Sequence, residues 1–179
     1  MLSYPILKPF IVHGHDHAFR DEVLSHLKSL GMLDPVVLDG IADAGKTVIE
    51  KFEAESAACN MAVVLLTPDD KGTTLSGDNY NTARPNVWIE LGYFMARFGR
   101  KTGRIVLIYK KGLDIPTDLS GVLYIDATDG IKDQHVARRL LTELDAIAIF
   151  LSTPPVSMTH SVAIPTGDLR IEGVVRLTN

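Results

Sequence analysis

The sequence predicts an α/β domain built on a doubly wound, parallel sheet of five strands. Short apolar runs alternate with amphipathic segments over most of the length, and runs such as 61–66 are apolar at every position. Strands buried on both faces read this way, because right-handed crossovers lay helices on both sides of a parallel sheet. Length agrees, since 179 residues support one well-buried core and are short for two.

The elements follow in order. Residues 9–13 are expected as the first strand and 18–30 as a helix that Gly31 ends. Residues 35–38 read as the second strand, 47–58 as a helix and 61–66 as the third strand. A long polar loop, 67–85, precedes an amphipathic helix over 86–98; loops of this length are either functional lids or disordered. Residues 104–109 and 122–125 supply two further strands, and a helix over 134–150 turns Val136, Leu140, Leu141, Leu144 and Ile147 inward. The chain changes character at Ser152-Thr153-Pro154-Pro155. We therefore expect a domain over 1–150 and a tail, linker or short β-hairpin over 151–179.

Hydrophobic residues make up 46% of the chain and charged residues 22%, with a net charge of -4. That balance leaves no basic footprint for nucleic acid. The apolar runs are too short to span a bilayer and the first residues lack a secretory layout, so a cytoplasmic address and no membrane partner are expected. The lone cysteine, Cys59, lies just before a buried strand and reads as a core residue.

Ligands of doubly wound sheets gather at the carboxyl ends of the strands, and chemistry is sought there. After the first strand comes His13-Gly14-His15-Asp16, in which Gly14 permits close backbone approach and Asp16 can cap a helix whose free amides suit a phosphate. A plain strand-to-helix turn is the competing reading, and no spacing supports a metal site. Gly40-Ile41-Ala42-Asp43-Ala44-Gly45-Lys46-Thr47 satisfies the phosphate-loop pattern G-x-x-x-x-G-K-[ST]. Such a loop also needs a metal-binding acid at the end of another strand, and Asp69 and Asp70 arrive past the expected strand end. In the 86–98 helix, Val87, Leu91, Phe94, Met95 and Phe98 form an apolar stripe, with Glu90 at its edge. Asn86 can cap this helix, Gly92 allows close approach, Gly99 can end it, and Trp88 can stack on a base or pack.

Taken together, Phe10-Ile11-Val12-His13-Gly14-His15-Asp16, Leu65-Leu66-Thr67-Pro68-Asp69-Asp70, residues 84–94 and Pro116-Thr117-Asp118-Leu119-Ser120-Gly121-Val122 resemble the TIR-like domain of bacterial antiphage effectors, which family members fuse to a cyclic-nucleotide sensor. The resemblance runs from about Pro9 to Phe150. It implies a flavodoxin-like, three-layer TIR fold and cleavage of NAD, as substrate and not as cofactor, at the nicotinamide–ribose bond. It makes residues 1–150 the NAD-cleaving domain, Glu90 the catalytic residue, and residues 40–47 a mobile loop that serves assembly and covers the substrate. His13, Gly14, His15, Asp16, Gly45, Asp69, Asp70, Arg84, Asn86 and Trp88 become substrate-side positions, with no metal. It also implies homo-oligomers through TIR–TIR contacts and a cyclic-nucleotide sensor in trans or in a further domain. The sequence departs from the family at Thr82-Ala83-Arg84-Pro85, where a second basic residue and no proline are more usual.

The residues suit the chemistry. Departing nicotinamide leaves an oxocarbenium-like ribose that a fixed carboxylate stabilises, and a leaving group that is already cationic needs no general acid. Two other readings stand beside this one: a nucleoside deoxyribosyltransferase, whose family also carries a Glu in an E-L-G helix, and a non-enzymatic TIR scaffold.

Overall fold

Alternating apolar and amphipathic segments fold in chain order into β1 (Pro9–Val12), α1 (His17–Ser29), α2 (Val48–Ser56), β2 (Met61–Leu66), β3 (Asp70–Thr73), β4 (Asn79–Thr82), α3 (Pro85–Phe98), β5 (Ile105–Tyr109), β6 (Tyr124–Asp126) and α4 (Gln134–Ser152). The computed structural model describes residues 4, 6–32, 34–39, 45, 47–99, 102–119 and 124–153. The predicted tail beyond Thr153, and most of the 40–47 loop, lie outside the described residues.

Among the described residues the main sheet has four parallel strands in the order β1-β2-β5-β6, with Pro9 opposite Met61 and Val63 opposite Val106. All six residues of β2 are buried, as expected of a central strand covered on both faces. The predicted strand over 35–38 is corrected to a single bridge. Val36 donates its N–H to the Pro9 carbonyl at 2.9 Å and its carbonyl accepts from Ile11 N at 2.8 Å, but no ladder extends from it. Pro35 has no N–H to give and Asp34 stands at φ 50, so the segment joins the free edge of β1 at one residue only.

Alternation along the strands divides the core. Ile11, Val63, Leu65 and Ile108 pack with Phe19, Val23 and Leu27 of α1 and Leu140, Leu144 and Ile147 of α4. Phe10, Val12, Val64, Leu66 and Leu107 face the other way, onto Phe52 of α2 and Val87, Leu91, Phe94 and Phe98 of α3. Three layers result, as the fold class requires. That second face is aromatic, with Phe10, Phe52 and Phe94 meeting at centroid distances of 5.2 to 5.7 Å. Cys59 lies in the same cluster, and burial pushes its thiol up to about 11, which suits an inert core residue.

The polar loop over 67–85 is corrected to a hairpin. β3 and β4 pair antiparallel, Gly72 opposite Tyr80, and a side chain at Gly72 would meet the Tyr80 ring. Asp114 ties it to the main sheet, since its Oδ2 accepts from Asn81 N at 2.8 Å and its N–H donates to the Asn81 carbonyl at 2.9 Å. No described helix is long and apolar enough to cross a membrane.

Candidate active site at the carboxyl ends of the strands

The turn after β1 is built by its own polar groups. His13 directs Nδ1 to the Gly14 carbonyl at 2.8 Å, and burial holds its pKa below the ordinary imidazole value. A Cβ at Gly14 would lie 1.8 Å from Asp69 Oδ2, so the glycine is needed where the loop after β2 presses against it. Asp69 in turn accepts from the Thr67 hydroxyl at 2.9 Å. Asp16 caps α1 by accepting from Phe19 N at 3.0 Å and binds Lys110 Nζ at 2.8 Å. Burial alone would raise the Asp16 pKa, but the bonds from Lys110 and Phe19 N outweigh it and hold the carboxyl below its usual value. The helix amide expected to receive a phosphate is therefore already satisfied by Asp16.

Opposite this turn, α3 begins differently. The N-cap is Arg84, with no side-chain cap bond, and Pro85 occupies the first helical position. The predicted cap, Asn86, thus lies inside the first turn and exposed, because the proline starts the helix one residue earlier. Arg84 Nη1 meets His15 Nε2, while Arg84 Nε is buried with no acceptor among the described residues. Trp88 donates to Thr82 Oγ1 at 2.9 Å and packs on the aromatic core, which makes it a wall and not a free stacking surface. Gly92 is exposed, and among the described residues nothing makes the close approach expected there.

Glu90 stands one turn into α3, half-buried. Burial, and then the negative charge of Asp39, push its pKa up to about 7. It forms no hydrogen bond or ion pair among the described residues. Asp39 is held by Arg20, whose Nη1 donates to Oδ2 at 2.6 Å, with His13 Nε2 3.5 Å away and His17 Nδ1 3.7 Å away.

The structure therefore joins His13 to Asp39, Gly14 to Asp69, Asp16 to Lys110 and His15 to Arg84, all at one end of the sheet. It does not bring every predicted position there. Gly45 is exposed at φ 78 with no described residue near its Cβ position, and Asp70 is paired to Thr82 inside the hairpin. Thr47, the residue a phosphate loop would turn toward magnesium, is the N-cap of α2 in a reciprocal capping box with Glu50. Arg20, Asp39, Thr67 and Lys110 were not among the sequence-derived candidates. Thr67 and Lys110 directly follow β2 and β5, so the rule that ligands gather at carboxyl ends would have found both.

A three-layer α/β domain with its polar loops gathered at one end of a parallel sheet sets the class of this protein. Residues 8–129 match the model of the family described as CAP12/Pycsar effector protein, TIR domain. The chain belongs to that family. It is 42% identical over 140 residues to the uncharacterized protein YuaY of Escherichia coli (strain K12), a match covering 76% of this chain and 44% of that protein. It is 33% identical over 136 residues to protein tirC of Dictyostelium discoideum, covering 71% and 67%. With the Pycsar effector protein PaPycTIR of Pseudomonas aeruginosa it shares 34% identity over 88 residues, 48% of this chain and 28% of the effector. The chain thus spans less than half of the first relative and a smaller share still of the Pycsar effector.

Proposed function

We propose that this chain is an NAD glycohydrolase of an antiphage or abortive-infection response, with Glu90 as its catalytic residue. The observation that carries the reading is Glu90 itself, a carboxylate drawn out of water, pushed to about 7 and bonded to nothing among the described residues. Structural carboxylates in this fold behave otherwise, as Asp16 does with Lys110 and the α1 amide.

In the reaction, the bond between ribose C1′ and the nicotinamide nitrogen breaks, and its electron pair neutralises the pyridinium as it leaves. Positive charge then spreads over C1′ and the ring oxygen. Glu90, as carboxylate, stabilises that charge in partly desolvated surroundings where the attraction is stronger than in water. Water adds to C1′ to give ADP-ribose, and a group with a pKa near 7 is well placed to accept the released proton. Arg84, with an unsatisfied Nε beside His15, offers cationic donors to the diphosphate. Assembly between copies, and a cyclic-nucleotide sensor in trans or in a further domain, are the proposed means of activation.

Nicotinamide release from NAD is the test, at high protein concentration and with and without cyclic nucleotides. Release by the native chain that disappears in Glu90→Ala is expected. Release unaffected by that substitution overturns the assignment, and release of free base from deoxynucleosides in its place favours the transferase.

A further inference from the structure

We propose that His13, His17 and Asp39 form a binding site for a divalent transition-metal ion of the zinc class, for which Arg20 is a built-in competitor. His13 follows β1 and His17 opens α1, so one short turn brings two imidazoles to 5.7 Å between centroids at 66°. Asp39 arrives from the segment beyond the Val36 bridge and lies within reach of both. The three ligand atoms all lie within 4.8 Å of one another.

Two of the three ligand separations are near those of a small ion's shell, and the third, between the two histidines, has to close further. Asp39 Oδ2 is 3.5 Å from His13 Nε2 and 3.7 Å from His17 Nδ1. Tetrahedral zinc with bonds near 2.0–2.1 Å sets its ligand atoms about 3.3 Å apart, so these two edges need to close by only a few tenths of an ångström. A set of two nitrogens and one carboxylate leaves a fourth position for water or another oxygen donor. His17 and Asp39 are each more than half exposed, which gives an ion access from solvent.

Hydrogen bonding fixes which atoms carry lone pairs. The Gly14 carbonyl can only accept, so His13 Nδ1 bears a proton and, in the neutral ring, Nε2 turns its lone pair toward Asp39. Metal-binding histidines are oriented by this same kind of bond from the opposite ring nitrogen. The Arg20 Nη1 that lies 2.8 Å from His17 Nδ1 can only donate, so this nitrogen presents a lone pair as well. That same Nη1 donates to Asp39 Oδ2 at 2.6 Å. One cationic nitrogen thus serves two of the three prospective ligands. A metal ion would replace it with direct bonds, and Arg20 would keep its ion pair through Nε to Asp21 at 2.9 Å.

The site adjoins Glu90, whose charged neighbour is Asp39. The inference does not depend on NAD cleavage, because binding is read without substrate. Untagged, chelator-treated chain is titrated with zinc alone by calorimetry and with cobalt by visible absorption. One ion per chain is expected, with a cobalt spectrum of a four-coordinate site. His17→Ala and Asp39→Asn should each weaken binding by at least about tenfold, whereas Arg20→Gln should tighten it. His135→Ala, on exposed α4 surface, should leave it unchanged. Thermal melts establish that each variant is folded. No saturable binding, binding that survives both ligand substitutions, or binding weakened by Arg20→Gln would each overturn the proposal.

Discussion

The two helices that start at the ligand end of the sheet, α1 and α3, use their first turns in opposite ways. At α1, Asp16 accepts a backbone amide and a lysine, and its pKa falls. At α3, among the described residues, no side chain caps the helix and Arg84 Nε has no acceptor, and Glu90 is desolvated with its pKa raised. A carboxylate that accepts strong donors is committed to the fold, whereas one kept short of them is held ready for positive charge that arrives with a substrate. On the proposed reading, Asp16 at α1 serves the fold and Glu90 at α3 serves the chemistry.

The largest expected effect breaks the comparison at α3. Glu90→Ala should lower NAD cleavage by about 100-fold or more, the loss typical of removing one electrostatic stabiliser from a transition state. Stability should move the other way. The Glu90 pKa is about 7 when folded against an ordinary 4.5, so the native state alone keeps the proton between those values and wild-type stability falls as pH rises through them. Glu90→Gln should therefore raise the melting temperature at pH 8 and leave it near wild type at pH 4, with a gain of at most about 3 kcal/mol. Loss of stability at pH 8 would place Glu90 with Asp16 among structural carboxylates.

Asp16→Ala probes the other side of the contrast. It removes an N-cap and strands Lys110 over the Phe19 ring, where the ammonium lies 4.3 Å from the centroid. A loss of about 2 kcal/mol is expected from denaturant melts at pH 7. Because the folded pKa lies below the unfolded value, this contribution is present above about pH 4 and disappears as pH falls through the folded pKa. Wild type and Asp16→Ala should converge in acid. Equal melts at pH 7 would remove the structural role.

What the sequence made legible divides along similar lines. β2 could be read because burial on both faces makes every position apolar, and the inward stripes of α3 and α4 because burial of one helix face imposes a period on apolar residues. The β3–β4 hairpin could not. Asp70-Lys71-Gly72-Thr73 and Asn79-Tyr80-Asn81-Thr82 are polar and bury no position fully, so they carry no apolar period. The 35–38 run looked like a strand because its composition is β-prone, but composition does not say how many backbone bonds a neighbouring edge will accept. At the site, Glu90 and Gly14 stood out locally. Asp39 did not, because what matters about it is a charge facing Glu90 from 51 positions away in the chain, a relation that only the fold creates.

Gly14→Ala should have a smaller effect, again on the α1 side. The new methyl would press on the Asp69 carboxylate, the end of a side chain that can turn if its bond from Thr67 is given up. A loss of about 1 kcal/mol is expected. Combining it with Asp69→Ala should recover most of that loss, and a double-mutant cycle with no coupling would show that the contact is not what the glycine serves.

The smallest effect is the one that joins the two ends. Asp39 is bonded to Arg20 of α1 yet its charge bears on Glu90 of α3, so it lies between scaffold and chemistry. Burial is the larger cause of the raised Glu90 pKa and Asp39 the smaller. Asp39→Asn therefore leaves the desolvation in place and removes only the repulsion. If Glu90 acts as a carboxylate, kcat/KM for NAD should rise with pH through a midpoint near 7 in the native chain, and in Asp39→Asn that midpoint should move down by a fraction of a pH unit without reaching the ordinary carboxylate range. Measurement in the presence of a chelator keeps any metal at Asp39 from contributing. A midpoint that does not move would mean that Arg20 already neutralises Asp39, and the α1 end would then touch the chemistry only as its support.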